Sequence, residues 1–377
     1  MKTIYLDFNA STPIAPEVAE AMQLFLTDHY GNPSSSHWAG IPALEAVQGA
    51  RAKLAALLGC HPDEIVFTSG GTESNNHALK GVFFSLRDRG NHIITSQVEH
   101  PAIIEPCRFL MKLGAEVTFL PVDGSGMINP DDVRKAITKR TILITVMHAN
   151  NEVGTIQPIA EVGRIAREHE ILFHSDAAQS VGKIPTHVRD LSVDLLSVAG
   201  HKLYAPKGVG ALYIRRGISL EPFIHGAGHE GGRRAGTENV LLDVGLGAAC
   251  ELSQKWIGMP EARKLRDLFW QCLHDFFGNR VVLNGHPTER LPNTLNVSFM
   301  NQNGSEILSG LEGVAASTGA ACHSGAIEIS PVLRAMCLGP DIARGAIRFS
   351  LGRNTKEDEI RYVVERLCQM PFIPGKS

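Results

Sequence analysis

The chain has 377 residues, of which 44% are hydrophobic and 20% are charged, and its formal net charge is −3. These values are typical of a globular protein that buries a large core. Because positive and negative charges nearly balance, no overall field attracts nucleic acid or an anionic membrane. We therefore expect no direct nucleic-acid partner and no membrane association.

Targeting segments and structural metal sites are not expected either. The N-terminal sequence MKTIYLDFNA reaches Asp7 too early to hold the apolar core of a signal peptide. No run of about 18 apolar residues occurs, so no transmembrane helix is expected. The seven cysteines are scattered and form no C-x-x-C pair, which argues against zinc ribbons and disulfide frameworks. Together these features predict a cytoplasmic protein with no metal site.

From about residue 64 to residue 215, short β-branched runs alternate with segments of helical spacing. The predicted strands are residues 64–69, 92–96, 116–121, 141–149, 171–177, 194–200 and 208–215. The predicted helices between them include residues 72–86, 101–113 and 159–169. This alternation predicts a mainly parallel seven-stranded sheet with helices on both faces. The apolar run within 141–149 is typical of a central strand buried on both sides.

The pattern changes after about residue 260. Predicted elements there are a helix over 261–277, a strand over 293–299, a helix near 304–311, a strand over 346–351 and a helix over 356–370. We therefore expect an α/β protein with a large domain over residues 15–258. Residues 1–14 and 259–377 are expected to form a smaller α+β domain.

The residues that follow the predicted strands are the first candidates for a functional site, because ligands bind beyond the carboxyl ends of parallel strands. They are Gly71 and Thr72, His100, Asn150 and Asn151, Asp176 and Gln179, and His201 and Lys202. Each alone has an ordinary structural interpretation, such as a helix cap, a turn or an ion pair. Together they place an anion-binding helix terminus, a carboxylate and an amine at one edge. A carboxylate for a pyridinium nitrogen and an amine for an imine are the groups that pyridoxal phosphate requires.

A series of short motifs carries a resemblance that covers nearly the whole chain, from Tyr5 to Arg353. In order they are YLDFNASTP, GNPSSSH, FTSGGTESNN, VEHPAI, HANNEVG, HSDAAQS, GHKLYAPKGVGALY, GGRRAGTEN, STGAACHSG and IRFSLGR. The chain resembles the class V, fold-type I pyridoxal-phosphate enzymes, and among them the cysteine desulfurase and selenocysteine lyase family. The resemblance implies pyridoxal 5'-phosphate as the cofactor and a homodimer as the assembly.

The resemblance also implies roles for the residues around the cofactor ring. Lys202 is expected to bind the cofactor covalently and to act in catalysis. Asp176 is expected to pair with the ring nitrogen, and Gln179 to hydrogen-bond the ring hydroxyl. His100 is expected to contact the ring and to transfer protons. Asn151, rather than Asn150, is expected to contact both cofactor and substrate.

Further roles concern the phosphate and the substrate. Gly71, Thr72 and His201 are expected to bind the phosphate, and Thr237 is expected to reach the phosphate in the partner subunit. Arg348 is expected to bind the α-carboxylate of the amino acid, because a planar guanidinium matches a carboxylate with two hydrogen bonds. Without the motif, an arginine inside a strand favours a structural ion pair.

Cys322 is the expected acceptor of sulfur. In this interpretation the enzyme converts L-cysteine to L-alanine and holds the sulfur as a persulfide on Cys322 for transfer to an acceptor protein. Iron–sulfur cluster assembly, tRNA thiolation and DNA sulfur modification are alternative destinations. A free thiol with a pKa of about 8.5 is only slightly ionised at neutral pH, so His323 is a candidate to assist.

Two departures from the family pattern keep alternatives open. Ala199 stands where the family usually has a serine whose hydroxyl binds the phosphate. The reactive loop reads AACHS, wording that also occurs in selenocysteine lyases. The alternatives are therefore a selenocysteine lyase, an aminotransferase that would have no use for Cys322, and a non-catalytic scaffold of the same fold.

Overall fold

The structure is a computed structural model, and it describes residues 3–318 and 329–371. Its strands are β1 (Ile4–Tyr5), β2 (Ile65–Thr68), β3 (His92–Ser96), β4 (Glu116–Leu120), β5 (Thr141–Thr145), β6 (Leu172–Asp176), β7 (Leu195–Ala199), β8 (Gly210–Ile214), β9 (Val281–Asn284), β10 (Thr294–Phe299), β11 (Val314–Ala315) and β12 (Ala346–Ser350).

Its α-helices are α1 (Pro16–Met22), α2 (Leu24–Thr27), α3 (Ile41–Leu58), α4 (Gly71–Ser85), α5 (Pro101–Met111), α6 (Pro130–Ala136), α7 (Ile159–Glu168), α8 (Val188–Leu191), α9 (Val240–Ser253), α10 (Pro260–Phe277), α11 (Gly304–Gly310), α12 (Pro331–Ala335), α13 (Pro340–Ala343) and α14 (Glu357–Cys368). A short 3-10 turn, Gly200–Lys202, follows β7.

The main sheet has seven strands in the order β2-β8-β7-β6-β5-β3-β4. Strand β8 runs antiparallel to both of its neighbours, and every other adjacent pair is parallel. The prediction of a mainly parallel seven-stranded sheet is therefore confirmed. Every residue of β5 is buried, as its apolar sequence indicates. This strand ends at Thr145, earlier than predicted, and Ala149 beyond it pairs with Ile156 in the following loop.

Helices cover both faces of this sheet, which explains why its strands are apolar on both sides. On one face, α3, α7 and α9 contribute Leu54, Val162 and Leu246 to a buried cluster. On the other face, α4 and α5 contribute Leu79 and Ile103. Because two layers of helices pack against the sheet, the carboxyl ends of its strands are held in place and position the side chains that follow them.

A second sheet has three antiparallel strands in the order β12-β10-β9. Sequence patterns predicted β10 and β12 but not the short strand β9. Helices α10 and α14 pack on this sheet through residues such as Phe269 and Val363. Strand β1 pairs in parallel with β11, and Ile4 and Leu6 join the same buried cluster. The domain boundaries at residues 14/15 and 258/259 stay a prediction.

Three further findings concern membrane-spanning helices, metal sites and cysteines. No helix in residues 3–318 and 329–371 is both long and apolar enough to cross a membrane. No cluster of His, Cys, Asp and Glu in the same ranges could hold a metal ion. The cysteines in these ranges are free thiols: Cys60, Cys107, Cys250, Cys272, Cys337 and Cys368.

Candidate active site

A cavity of about 390 Å³ lies at the carboxyl edge of the main sheet. This volume suits a small organic ligand. The expected site residues that line it are Gly71, Thr72, His100, Asn151, Asp176, Gln179, His201, Lys202 and Arg348. They meet because parallel strands deliver the residues that follow them to the same edge. Arg348 arrives from the other sheet, so the cavity lies between the two.

Asp176 ends β6 as a buried carboxylate that accepts hydrogen bonds from two neutral donors. Asn75 Nδ2 donates to Oδ2 over 2.7 Å, and the Ala178 amide donates to Oδ1 over 2.9 Å. No lysine or arginine in the described part of the chain forms an ion pair with it. A buried carboxylate requires compensation, so this position is suited to a cationic group in the cavity. Asn75 was not anticipated from the sequence.

Lys202 lies in the 3-10 turn after β7 and points at the N-terminal segment. Its Nζ donates to the backbone carbonyls of Asn9, at 2.5 Å, and Ala10, at 2.8 Å. Burial first, and the nearby charge of Arg348 second, lower the pKa of Lys202 to about 8. The amine is consequently far easier to deprotonate than an ordinary lysine, as a nucleophile or base requires.

His100 is the N-cap of α5, and its Nδ1 accepts a hydrogen bond from the Ala102 amide over 3.1 Å. Burial and the charge of Lys202 lower the pKa of His100, while Asp176 opposes them. The ring is therefore neutral at physiological pH. Because Nδ1 is used as an acceptor, the ring proton is carried by Nε2.

The N-terminus of α4 borders one corner of the cavity, and a helix N-terminus of this kind favours an anion. Gly70 precedes it with φ of +148°, a value that favours glycine, and no side chain caps the helix. A Cβ added to Gly71 would lie 3.2 Å from the Ala199 methyl group, so the glycine keeps this corner open. His201 Nδ1 is buried and has no partner among the residues described. Burial, with Lys202 next, lowers the pKa of His201 to about 4, so its ring is neutral at physiological pH.

Arg348 is not a free guanidinium. Its Nη2 donates to Oδ1 of Asp7 over 2.7 Å, and its Nη1 donates to the Asn151 carbonyl over 2.9 Å. An arginine inside a strand by itself favours a structural ion pair, and the family resemblance implied a carboxylate-binding role. The structure adds that Asp7 already compensates part of the charge, while Nε is buried without a partner in the described ranges.

The two asparagines after β5 have different surroundings. The Asn150 amide already has partners: Nδ2 donates to the carbonyl of Val98, in the loop after β3, over 3.0 Å, and Oδ1 accepts from the amides of Glu152 and Val153. Asn151 instead lines the cavity. Asn151 is therefore the one of the pair that can meet a ligand.

Asn9 is a cavity residue that sequence reasoning missed. Besides Lys202, its backbone carbonyl accepts from Gln179 Nε2 over 2.9 Å. Its side-chain Nδ2 donates to Thr294 Oγ1 over 2.8 Å, on the second sheet. The only sequence signal was its place in the motif YLDFNASTP. Asn9 thus connects the N-terminal segment to both walls of the cavity.

Three residues that the sequence analysis named for the site remain: Thr237, Cys322 and the assisting candidate His323. Thr237 is exposed and does not line the cavity. Cys322 and His323 lie outside the described residues. On either side of residues 319–328, Ser317 exchanges backbone hydrogen bonds with Arg348, and Ser330 Oγ donates to buried Glu152 over 2.6 Å. The described flanks are therefore anchored beside the cavity wall.

Comparisons with known proteins agree on one family. The profile described as "Aminotransferase class-V" matches residues 4–363. The cysteine desulfurase IscS of Dictyoglomus turgidum is 50% identical over 98% of this chain and 95% of its own length. The human cysteine desulfurase is 45% identical over 98% of this chain and 82% of its own.

Solved structures give the same result. A structure titled "NIFS-like protein" superposes with a TM-score of 0.91 at 39% identity, covering 97% of this chain and 98% of that one. A structure titled "SspA in complex with cysteine" superposes with a TM-score of 0.84 at 40% identity, covering 93% and 99%. The likeness therefore extends over both sheets and the cavity between them.

Proposed function

The chain belongs to the class-V aminotransferase family, and on that premise we propose that it is a pyridoxal-phosphate-dependent cysteine desulfurase. It converts L-cysteine to L-alanine and takes up the sulfur. The observation that carries this proposal is the single cavity that holds the amine of Lys202, the carboxylate of Asp176 and the guanidinium of Arg348. Relatives named cysteine desulfurase favour cysteine over selenocysteine as the substrate. The same relatives favour an enzyme over a non-catalytic scaffold.

The residues of the cavity fit pyridoxal phosphate at three places. Asp176, with neutral donors around it, suits a protonated ring nitrogen. The open corner at Gly71, with the partnerless Nδ1 of His201, suits a phosphate. The easily deprotonated amine of Lys202 suits covalent attachment.

When bound, the cofactor supplies an electron sink for the charge that develops on the substrate Cα. Asp176 keeps the ring nitrogen protonated, and Asn75 holds the carboxylate in place for that task. Arg348 orients the substrate through its α-carboxylate. The pKa of Lys202, lowered to about 8 by burial and the charge of Arg348, makes its uncharged form accessible near neutral pH. In that form Lys202 accepts the Cα proton, and His100 exchanges a proton through Nε2.

Sulfur transfer is proposed to occur at Cys322. The Cys322 thiolate attacks the sulfur of the substrate, so that a sulfur–sulfur bond forms and the carbon–sulfur bond breaks. The electron pair of the broken bond remains with the carbon product, which takes up protons to become alanine. Support comes from the anchoring of Ser317 and Ser330 beside Arg348 and Glu152. The persulfide sulfur then passes to an acceptor protein, for which iron–sulfur cluster assembly is the proposed destination.

A cytoplasmic homodimer is the proposed setting. The free thiols of the described cysteines suit a reducing compartment. Thr237 is exposed and does not line the cavity of its own chain, which suits a role in the partner's site. Exposed apolar side chains concentrate in one stretch and offer a candidate interface: Leu24, Leu26, Tyr30, Trp38, Ile41 and Leu44. Mixing Lys202→Ala and Thr237→Ala subunits tests the arrangement, since a shared site partly restores activity, whereas a monomer in solution contradicts it.

The test of the activity is direct. One preparation, loaded with pyridoxal phosphate, is assayed for alanine and sulfide from L-cysteine and for alanine and selenide from L-selenocysteine. Equal amounts of alanine and sulfide in the presence of a thiol reductant are expected from cysteine. A yellow protein that releases alanine only from selenocysteine contradicts the proposal in favour of the lyase. A protein that does not bind the cofactor contradicts both the desulfurase and the lyase.

A further inference from the structure

A second lysine lies buried behind the cavity. Lys183 is 5% exposed, and it forms no ion pair with any carboxylate that the structure describes. Its Nζ donates to Oδ1 of Asn9 over 3.1 Å and to Oε1 of Gln179 over 2.8 Å. Burial, followed by the charges of Lys202 and Arg348, holds the pKa of Lys183 well below the usual range of lysine. Burying an amine without a carboxylate costs stability, so packing alone does not account for this residue.

The two hydrogen bonds of the Gln179 amide fix which way it faces. Lys183 donates to Oε1, and the backbone carbonyl of Asn9, which can only accept, receives Nε2 over 2.9 Å. Turning the amide over would place Nε2, a donor, against the amine of Lys183. It would also place Oε1, an acceptor, against the carbonyl of Asn9. Nε2 carries two N–H groups. Since Asn9 takes one of them, the other is available to the cavity that Gln179 lines.

The same lysine also holds Asn9. Oδ1 of Asn9 accepts from Lys183 and from Asn293 Nδ2, each over 3.1 Å. These two bonds leave Nδ2 of Asn9 to donate to Thr294. They also hold in place the backbone carbonyl of Asn9, which accepts from both Gln179 and Lys202. One buried amine therefore sets the orientation of two side chains that border the cavity.

We propose that Lys183 is a positioning residue that holds the Gln179 amide with an N–H group directed at the ring hydroxyl of the bound cofactor. The proposal rests on the proposed function, since it presumes pyridoxal phosphate. Lys183 itself does not line the cavity. Without Lys183, only the Asn9 carbonyl holds the amide, which then more often turns and presents Oε1, an acceptor, to a ring oxygen that carries negative charge. That contact weakens cofactor binding and raises the proton affinity of the oxygen.

The first test replaces Lys183 with methionine, which keeps an unbranched apolar stem and removes the donors. Two quantities are measured: the dissociation constant of the cofactor, and the pH at which the visible band of the bound cofactor changes. For Lys183→Met we expect about tenfold weaker binding of the cofactor. We also expect the midpoint of the spectral change with pH to lie about half a pH unit higher. If Lys183→Met does not fold, Lys183→Gln takes its place. Its amide can accept as well as donate, so a smaller upward shift is expected.

A double variant shows whether Lys183 acts through Gln179. Gln179→Leu removes the amide, and a further Lys183→Met change then has nothing to orient. The spectral shift of the double variant should therefore equal that of Gln179→Leu alone. Additive shifts would overturn the proposal, because they would show Lys183 acting by its charge. Val162→Ala, a buried change in α7, is the control for stability. It should lower the unfolding temperature of the apoprotein and leave both quantities unchanged.

The outcome separates this inference from the proposed function. A wild-type protein that binds no cofactor and releases no alanine from cysteine refutes the proposed function. A wild-type protein that is yellow and active, together with a Lys183 variant of unchanged affinity and unchanged midpoint, refutes only the positioning role.

Discussion

Arg348 and Asp7 form an ion pair of 2.7 Å between the second sheet and the N-terminal segment, with side-chain exposures of 9% and 20%. Arg348, which we propose to bind the substrate, therefore already has one carboxylate as a partner. Asp7 orients the guanidinium, as the Asn151 carbonyl does from the other side. On the proposed function, this pairing bears on the binding of substrate and, through the two opposite charges, on the pKa of Lys202.

Arg348→Lys is expected to weaken substrate binding selectively. A lysine cannot bind Asp7, the Asn151 carbonyl and a substrate carboxylate with the planar geometry of a guanidinium. A charge-assisted hydrogen bond contributes about 1.5–3 kcal/mol, so KM for cysteine should rise roughly tenfold or more while kcat falls less. Steady-state kinetics measure the effect. Arg353→Lys is the matched control, because Arg353 pairs with Glu17 and does not line the cavity; equal effects of the two changes would contradict the role of Arg348.

Asp7→Asn is expected to move the pH dependence of cofactor attachment downward. The neutral amine of Lys202 is the reactive form, so attachment to the apoprotein should accelerate with rising pH and level off above the pKa of about 8. Asp7 raises the pKa of Lys202, and Arg348 lowers it. Removing the Asp7 charge therefore lowers that pKa and shifts the midpoint to lower pH.

Stopped-flow absorbance at a series of pH values measures this midpoint. Asp63→Asn is the control, since Asp63 pairs with Arg216 and does not line the cavity. A wild-type midpoint near the ordinary lysine value of about 10.4, or an upward shift in Asp7→Asn, would contradict the assignment.

The sequence was sufficient to locate the edge of the sheet where the site lies. Lys202 and Asp176 follow β-branched runs, and parallel strands bring such residues together whatever the details of packing. The short strand β9 escaped prediction because four residues give little periodicity. Its place beside β10 depends on pairing across a loop.

The partners of these residues could not be predicted in the same way. Asn75 meets Asp176, and Asn9 meets Lys202, over separations of 101 and 193 residues. Helical spacing gives no sign that Asn75 faces a particular carboxylate. The burial of Lys183 was equally hidden, because its neighbours come from the N-terminus and from its own loop. Local sequence patterns determine the helices and strands, whereas contacts between segments far apart in sequence determine which side chains support the site.

Asp176→Asn is expected to reduce turnover by roughly 100-fold or more, because a neutral amide no longer compensates the protonated ring nitrogen. Asn75→Leu should lower kcat less, since it removes only the hydrogen bond that holds the carboxylate. Circular dichroism should be unchanged in Asp176→Asn. Near-native turnover of the loaded Asp176→Asn enzyme would refute the pairing with the ring.

Ala199→Ser is expected to tighten cofactor binding. Ala199 lines the cavity beside Gly71, and a hydroxyl there would add a donor for the phosphate. A hydrogen bond to a charged group suggests a gain of about tenfold in affinity. Equilibrium dialysis of the apoprotein measures it. Ala149→Ser, which lines the cavity after β5, is the control and should not bring the same gain. Weaker binding in Ala199→Ser would show that the corner has no room for the hydroxyl.

Cys322→Ala is expected to abolish release of sulfur from cysteine and to leave the protein yellow, because the thiol takes part in transfer and not in cofactor binding. Carbon–selenium bonds are weaker and selenols ionise at lower pH, so residual activity on selenocysteine is expected.

Cys337→Ala is the matched control for this change. Among the described cysteines, burial raises the pKa of Cys60 and Cys107 to about 12, which makes them poor nucleophiles, whereas Cys337 is exposed. Cys337 is thus the accessible rival for the sulfur. Alanine and sulfide are measured for both variants, and a mass increase of one sulfur atom per subunit locates the persulfide after a single turnover. If Cys322→Ala keeps the wild-type rate while Cys337→Ala loses it, the persulfide forms on Cys337; if both variants keep that rate, neither thiol carries the sulfur.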